Sequence, residues 1–378
     1  MGLPQPNPDL PHLADVVPSV LSAMGAHGFD GPIPLPDGIN GACVLLVDGL
    51  GAELLDTYAD DAPVMAGLRG TQLQVGFPST TVAGLAAVGT GCRSGEHGLV
   101  GLSFRLPGAD VVNALAWRPH PSGRDLRGKV PPEQVQPMPT TFERAAASGI
   151  AVSVISGAQF TDSGLTRAVL RGGRYIGVHA LGDLAACVQS AVADGGFCYG
   201  YHSELDLLGH VYGPGSAAWR MQLRQVDRLV ESIVEALPAG GLLAVVADHG
   251  MVTVDESEVV DVDGCELLMD GVDAIGGEPR ARHVYVADGA QDSVLAAWRE
   301  TLAGRAWVVS RDEAISAGWF GDRVGDVVRF RIGDVVAAAR GTAGIMRRTA
   351  EPLLSSLIGQ HGSWTTAEQR VPLLLAYG

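Results

Sequence analysis

Five short apolar runs constrain this chain more than any other feature: "ACVLLVD" from Ala42, "AVSVIS" from Ala151, "FCYGYH" from Phe197, "LLAVVAD" from Leu242 and "VPLLLAY" from Val371. Runs of this length that are apolar at nearly every position, rather than at alternate ones, belong to strands covered on both faces. That is the habit of central strands in a mostly parallel sheet. Helical patterns lie between them: "TTFERAAASG", "LGDLAACVQSAVADG" and "SAAWRMQLRQVDRLVESIVEAL". The alternation predicts an α/β fold, a three-layer α/β/α sandwich around a mostly parallel central sheet.

The texture changes between Asp261 and Pro352. "HVYVADG", "AWVVSRDEA" and "DVVRFRIGDVVAAARG" alternate polar with apolar residues, as half-exposed strands do, around the helical stretch "DSVLAAWRETLAG". The expected organisation is a catalytic core of residues 1–260 and 353–378, interrupted by a small α+β unit at 261–352 that serves as a cap or lid.

In open α/β sheets, chemistry gathers at the C-terminal ends of the strands. Here those ends carry Asp48, then Asp206 a few residues beyond "FCYGYH", then Asp248 and His249. One aspartate at a strand end is ordinarily a turn or cap residue; three from separate strands, two accompanied by histidine, point to a shared site. His210 follows Asp206 by four residues, the spacing that puts both on one helix face. His361 sits in the glycine-flanked loop "GQHGSW". Mixed carboxylate and imidazole donors suit zinc, with manganese or iron as alternatives. Six donors are too many for one tetrahedral zinc and suit two ions sharing a site. The remaining histidines (His12, His27, His97, His120, His179, His202 and His283) read as surface, core or cap residues.

Charge narrows the substrates. The formal net charge is −16 and no Lys/Arg-rich run exists; "RMQLRQVDR" reads as the polar face of a helix. That excludes a groove holding a nucleic-acid polymer by counterion release, while a small phosphorylated substrate remains compatible if metal ions supply local positive charge. The five cysteines are odd in number and form no CxxC pair, which argues for reduced thiols. The N-terminal "MGLPQPNPDLPHLADVV" lacks the basic and apolar regions of a signal peptide, and every apolar run is too short for a bilayer. The expectation is a cytoplasmic protein with no membrane partner; oligomeric state is left open.

One block stands apart, "FPSTTVAGLAAVGTGCRSGEHG", where Ser79, Thr80 and Thr81 each offer either a helix cap or a nucleophile. The ordered set of Asp48, "PSTT…TG…GEHG", Asp206-x3-His210 followed by "YGP", "DHG" at Asp248 and the late "HG" at His361 resembles the alkaline phosphatase superfamily, and within it the nucleotide pyrophosphatase/phosphodiesterase branch. The resemblance implies that Thr81, nine residues before Thr90-Gly91, is the nucleophile, leaving turn and capping roles to Ser79 and Thr80. It implies one zinc held by Asp206, His210 and His361, and a second held by Asp48, Asp248 and His249 with the Thr81 hydroxyl. It further implies in-line attack by Thr81, a phosphothreonine intermediate and its hydrolysis by an activated water. Where that branch has a phosphate-gripping asparagine, this chain has Leu102, with Ser103, Arg105 and Asn113 as the other candidates for substrate contact. Val82 stands in place of the aromatic that follows the nucleophile in the branch. The implied activity is a two-zinc phosphodiesterase or nucleotide pyrophosphatase acting on a small phosphorylated substrate, a nucleotide among the candidates. Phosphomonoesterase or phosphonoacetate-hydrolase-like C–P hydrolase activity at the same site is the alternative, and a non-catalytic metal-binding protein is the reading from another class.

Overall fold

The computed structural model describes residues 2–378. Seven strands form the large sheet: β1 (Gly41–Val47), β2 (Arg69–Gln74), β3 (Val152–Gly157), β4 (Arg174–Val178), β5 (Phe197–His202), β6 (Gly241–Val246) and β7 (Arg370–Tyr377). Their spatial order is β2-β7-β6-β1-β5-β3-β4. Pairs β6–β1, β1–β5, β5–β3 and β3–β4 are parallel, while β7 runs antiparallel to both of its neighbours. The sheet is therefore mixed, with one reversed strand near an edge. β1 and β6, the middle strands, are buried at every position, as their uniformly apolar sequences require.

Alternation along β5 assigns the flanking layers. Gly200 looks towards Val188 of a helix at Leu181–Ala193. Tyr199 and Tyr201 look the other way, against Phe142 and Phe160. Helices thus cover both faces, and one apolar core runs through the three layers.

A second sheet of four antiparallel strands, in the order Val272–Glu278, Ala281–Val286, Val335–Ala339, Ala306–Ser310, has its own apolar core with Val284, Trp298, Leu302 and Ala337. Its two inner strands are not half-exposed, contrary to the alternating pattern: Ala281–Val286 and Val335–Ala339 are almost wholly buried. The helix Gln291–Thr301 covers one face. On the other face lies the hairpin Ser103–Leu106/Ala109–Asn113, where the Ser103 carbonyl oxygen comes so close that a Cβ at Gly276 would sit 2.8 Å from it. Two arginines at the start of the inner strand Ala281–Val286 are buried as ion pairs, Arg280 just before it with Glu368 and Arg282 within it with Glu351, at 2.7 and 2.9 Å. The stretch "DVVRF", read from sequence as strand, forms a short helix at Asp326–Arg329 before the strand at Val335. Among the described residues no helix is long and apolar enough to cross a membrane, and all five cysteines are unbridged.

Candidate active site

Three strand ends and one loop converge at the C-terminal edge of the large sheet. Asp48 follows β1 and is held in line by its N–H donating to the His202 carbonyl at 2.9 Å. Asp248 and His249 follow β6 and are wholly buried. After β5 the chain enters a helix at Glu204–Tyr212 that carries Asp206 in its first turn and His210 one turn on. His210 Nε2 lies 3.4 Å from Asp206 Oδ2, as the i,i+4 spacing demands. His361 leaves the short strand Gly359–Gln360, and its Nε2 is 3.2 Å from His210 Nε2. Its ring also stacks 3.5 Å from that of His249.

Two donor groups emerge from this geometry: Asp48, Asp248 and His249, and Asp206, His249 and His361, each with ligand atoms within 4.8 Å of one another. His249 belongs to both, and His210 touches the second through Asp206 and His361.

Thr81 is the first residue of a helix at Thr81–Thr90, and its Oγ1 lies 3.2 Å from His249 Nε2. Helix and strand end come this close only because residue 84 is glycine. A Cβ there would stand 2.4 Å from Asp248 Cβ. Gly49, at φ +75°, turns the chain after Asp48 so that its N–H donates to Asp248 Oδ1 at 3.2 Å. Ser79 and Thr80 divide differently from the expected capping. Thr80 occupies the N-cap position without a side-chain cap bond, because its hydroxyl does not reach the free N–H groups. Ser79 ties the site together instead, its hydroxyl donating to the Ser363 carbonyl at 2.8 Å while its own carbonyl accepts from His361 Nδ1 at 2.9 Å.

The donor set fits cations. His210 Nδ1 and His249 Nδ1 donate to the carbonyls of Gly359 and Gly250 at 2.7 and 3.0 Å, as His361 Nδ1 does to Ser79. All three rings therefore turn Nε2 inward, the arrangement by which backbone carbonyls orient metal-binding imidazoles. Asp48 Oδ1, Asp206 Oδ1 and Asp248 Oδ2 are buried with no hydrogen-bond partner among the described residues. Burial, then the neighbouring Asp48, pushes the Asp206 and Asp248 carboxyls well above the usual carboxylate range. Burial opposes charge on His249 as well, yet Asp248 and Asp48 hold its imidazolium up to about 10, so the carboxylates draw in whatever positive charge is at hand. Burial lowers His210 and His361, favouring the neutral, ligating form.

The four candidates for substrate contact lie elsewhere. Leu102 gives its N–H to Glu278 Oε2 at 2.7 Å. Ser103 Oγ donates to the Gly277 carbonyl at 3.0 Å, and the Arg105 guanidinium pairs with Asp273 at 2.6 Å over the Tyr285 ring. Asn113 accepts from Ala116 N–H at 2.8 Å within its own turn. None of the four lines the cavity at Thr81. Two residues escaped sequence reasoning. The Tyr201 hydroxyl donates to Asp48 Oδ2, and the signal for it is the two-residue period that faces Tyr199 and Tyr201 alike. Glu278 is 3 % exposed, pushed up by burial to about 8, and its Oε1 has no partner. Nothing local in the sequence marks it. A larger cleft of about 890 Å³, lined by the N-terminal segment and residues 316–322, shares no residue with the donor set.

A hydroxyl at a helix N-terminus facing clustered carboxylates and imidazoles, on the edge of a large mixed sheet, defines the class of metal-dependent phosphoester hydrolases with an alkaline-phosphatase-like fold. Within that class the chain belongs to the type I phosphodiesterase / nucleotide pyrophosphatase family, whose profile matches residues 42–364. The murine ectonucleotide pyrophosphatase/phosphodiesterase 5 superposes with a TM-score of 0.69 at 16 % identity, covering 89 % of this chain and 88 % of that one. An inactive variant of the murine protein in complex with AMP gives 0.67 at 17 %, with the same coverage of both chains. Phosphonoacetate hydrolase from Sinorhizobium meliloti, in complex with phosphonoformate, gives 0.66 at 18 % identity and 90 % coverage of each chain. In sequence, 61 residues are 43 % identical to human ectonucleotide pyrophosphatase/phosphodiesterase family member 7, a match spanning 15 % of this chain and only 13 % of that relative's length.

Proposed function

We propose that the protein is a two-metal phosphoesterase that cleaves a small phosphodiester through Thr81. The observation that carries this reading is the 3.2 Å approach of Thr81 Oγ1 to His249 Nε2, within a cluster whose buried carboxylate oxygens lack partners. Asp48, Asp248 and His249, with the Thr81 hydroxyl, would hold one ion; Asp206, His210 and His361 would hold the other. Zinc matches the donor set. When bound, the two ions supply Lewis acidity that neutralises phosphate charge and lowers the pKa of a coordinated hydroxyl.

The chain's own groups do the rest. Thr81 Oγ1, giving up its proton to solvent, attacks phosphorus in line; the O–P bond forms as the ester P–O bond opposite breaks and the alcohol leaves protonated by water, and a second water then cleaves the phosphothreonine, restoring the Thr81 hydroxyl and releasing a phosphomonoester. Free N–H groups in the first turn of the Thr81–Thr90 helix, with its dipole, favour the anionic phosphate. Tyr201 fixes Asp48, and the Ser79 carbonyl fixes the His361 ring. The unit at 261–352 acts as a fixed buttress, since Arg280 grips Glu368, whose Oε1 accepts from Ser363 N–H two residues past His361. Phosphonate cleavage is the second reading, supported by the fold shared with phosphonoacetate hydrolase.

The test compares zinc-loaded protein on bis(p-nitrophenyl) phosphate, p-nitrophenyl phosphate and phosphonoacetate, before and after chelation. Diester turnover fastest of the three, lost on chelation and restored by zinc, is expected. Faster monoester or phosphonate turnover replaces the diester reading, and activity that survives complete metal removal refutes the two-metal site.

A further inference from the structure

The first strand of the inserted unit, Val272–Glu278, ends against the loop that carries His361. Two glycines make that approach. A Cβ at Gly276 would meet the Ser103 carbonyl oxygen, and Gly277, at φ +86°, turns so tightly that a Cβ there would stand 2.0 Å from the Ala281 carbonyl oxygen. The Glu278 side chain is thereby delivered into the seam between the unit and the core. Its Oε2 accepts the Leu102 N–H at 2.7 Å. The rest of the side chain packs on the backbone of Gly362, where an added Cβ would stand 2.8 Å from Glu278 Cγ and 3.1 Å from Oε1.

Gly362 follows His361 directly, and both belong to one small ring of bonds. The Ser79 N–H donates to the Gly362 carbonyl at 3.2 Å, while His361 Nδ1 donates to the Ser79 carbonyl at 2.9 Å. The second bond sets the tautomer and direction of the His361 imidazole. Glu278 backs this ring from the side of the inserted unit.

A carboxyl is costly to bury in that place. Glu351 and Glu368, also buried, are each paired with an arginine. Among the described residues Glu278 has no such ion pair, and its Oε1 has no hydrogen-bond partner. Burial accordingly pushes it up to about 8. An apolar side chain of similar volume would fill the seam without that desolvation penalty. Stability therefore does not account for Glu278, whereas its contacts with Leu102 and Gly362 give it a task.

We propose that Glu278 is a positioning residue: through its hydrogen bond to Leu102 and its packing on Gly362 it fixes the His361 loop, and so the imidazole that would hold the second ion. The proposal rests on the two-metal reading above and adds to it a residue outside both donor groups.

The test measures zinc dissociation constants for wild type, Glu278→Ala and Glu278→Gln by competition with a chelating dye, on protein whose folding is matched by circular dichroism. Glu278→Ala removes both the acceptor for Leu102 and the contact with Gly362. Glu278→Gln keeps an oxygen acceptor and the shape. Glu278→Ala is expected to lose about 10–100-fold in affinity for one of the two ions, as when a group that orients a metal ligand is removed, and to leave the other ion nearly unchanged. Glu278→Gln stays close to wild type for both. Wild-type affinities in Glu278→Ala overturn the proposal, and so does an equal loss for both ions, which a general loosening of the fold would give. A loss in Glu278→Gln as large as that in Glu278→Ala also overturns it, because the charge and not the placement would then be at work. If Glu278→Ala does not fold, Glu278→Asp, which withdraws the carboxyl by one methylene, takes its place under the same criteria. A wild type that holds a single zinc refutes the two-metal reading, and the proposal then stands or falls on whether Glu278→Ala weakens that ion.

Discussion

Gly84 lies in the first turn of the Thr81–Thr90 helix, and a methyl group added there would stand 2.4 Å from Asp248 Cβ and 3.0 Å from its Cα and carbonyl oxygen. Ordinary carbon contacts begin near 3.4 Å, so Gly84→Ala pushes helix and strand end apart by about 1 Å. Two terms oppose each other in stability. Overpacking of this kind costs about 1–3 kcal/mol. Alanine in place of glycine inside a helix returns about 0.5–1 kcal/mol. The net loss is therefore modest, about 0–2.5 kcal/mol by urea unfolding. Activity suffers more, because a displacement of about 1 Å between nucleophile and binding groups costs roughly a hundred-fold in rate. The assay is kcat/KM on bis(p-nitrophenyl) phosphate, corrected for folded fraction and bound metal. Gly182→Ala is the control: nothing lies within 4 Å of the added methyl, so stability rises slightly and kcat/KM stays put. Wild-type kcat/KM in Gly84→Ala would refute the claim that this close approach sets the distance from Thr81 to the Asp248 strand end.

Other substitutions probe the surroundings. Tyr201→Phe removes the hydroxyl that holds Asp48 and is expected to weaken zinc binding about 10–100-fold, read by competition with a chelating dye. Arg280→Met leaves the buried Glu368 carboxylate unpaired and is expected to destabilise the fold by about 3–5 kcal/mol in urea, whereas the double variant Arg280→Met/Glu368→Leu recovers most of it. Acid stability depends on Glu351: burial raises its pKa, but Arg282 and His120 overcome that and hold it down to about 2 against an ordinary 4.5. Because the folded-state value is the lower one, the pairing stabilises fully above pH 4.5 and the benefit drains away as pH falls towards 2. Wild type should therefore lose roughly 3 kcal/mol more than Glu351→Gln across that window.

The central strands were legible because β1, β6 and most of β5 are apolar at every position, a pattern that only two-sided burial explains. β2, "RGTQLQ", was not, since an edge strand with an exposed beginning carries no such signature. The reversal of β7 was hidden too, because direction follows from the connections and not from composition. In the second sheet, alternation misled about exposure because a polar residue such as His283 is buried through a partner far along the chain, the Val100 carbonyl. The same divide runs through the site. Asp48, Asp206, His210, Asp248, His249 and His361 stand out by residue type at strand ends, and the fold brings them together. Tyr201 and Glu278 act through partners 153 and 176 residues away, which no local pattern reports.

The Thr81 hydroxyl is proposed to form the bond to phosphorus. The most direct measurement is diester turnover by zinc-loaded Thr81→Ala, with metal content verified equal to wild type. Loss of kcat by roughly three orders of magnitude or more, with both ions retained, is the expected result. Wild-type turnover by Thr81→Ala would contradict it and shift the attack to a water molecule.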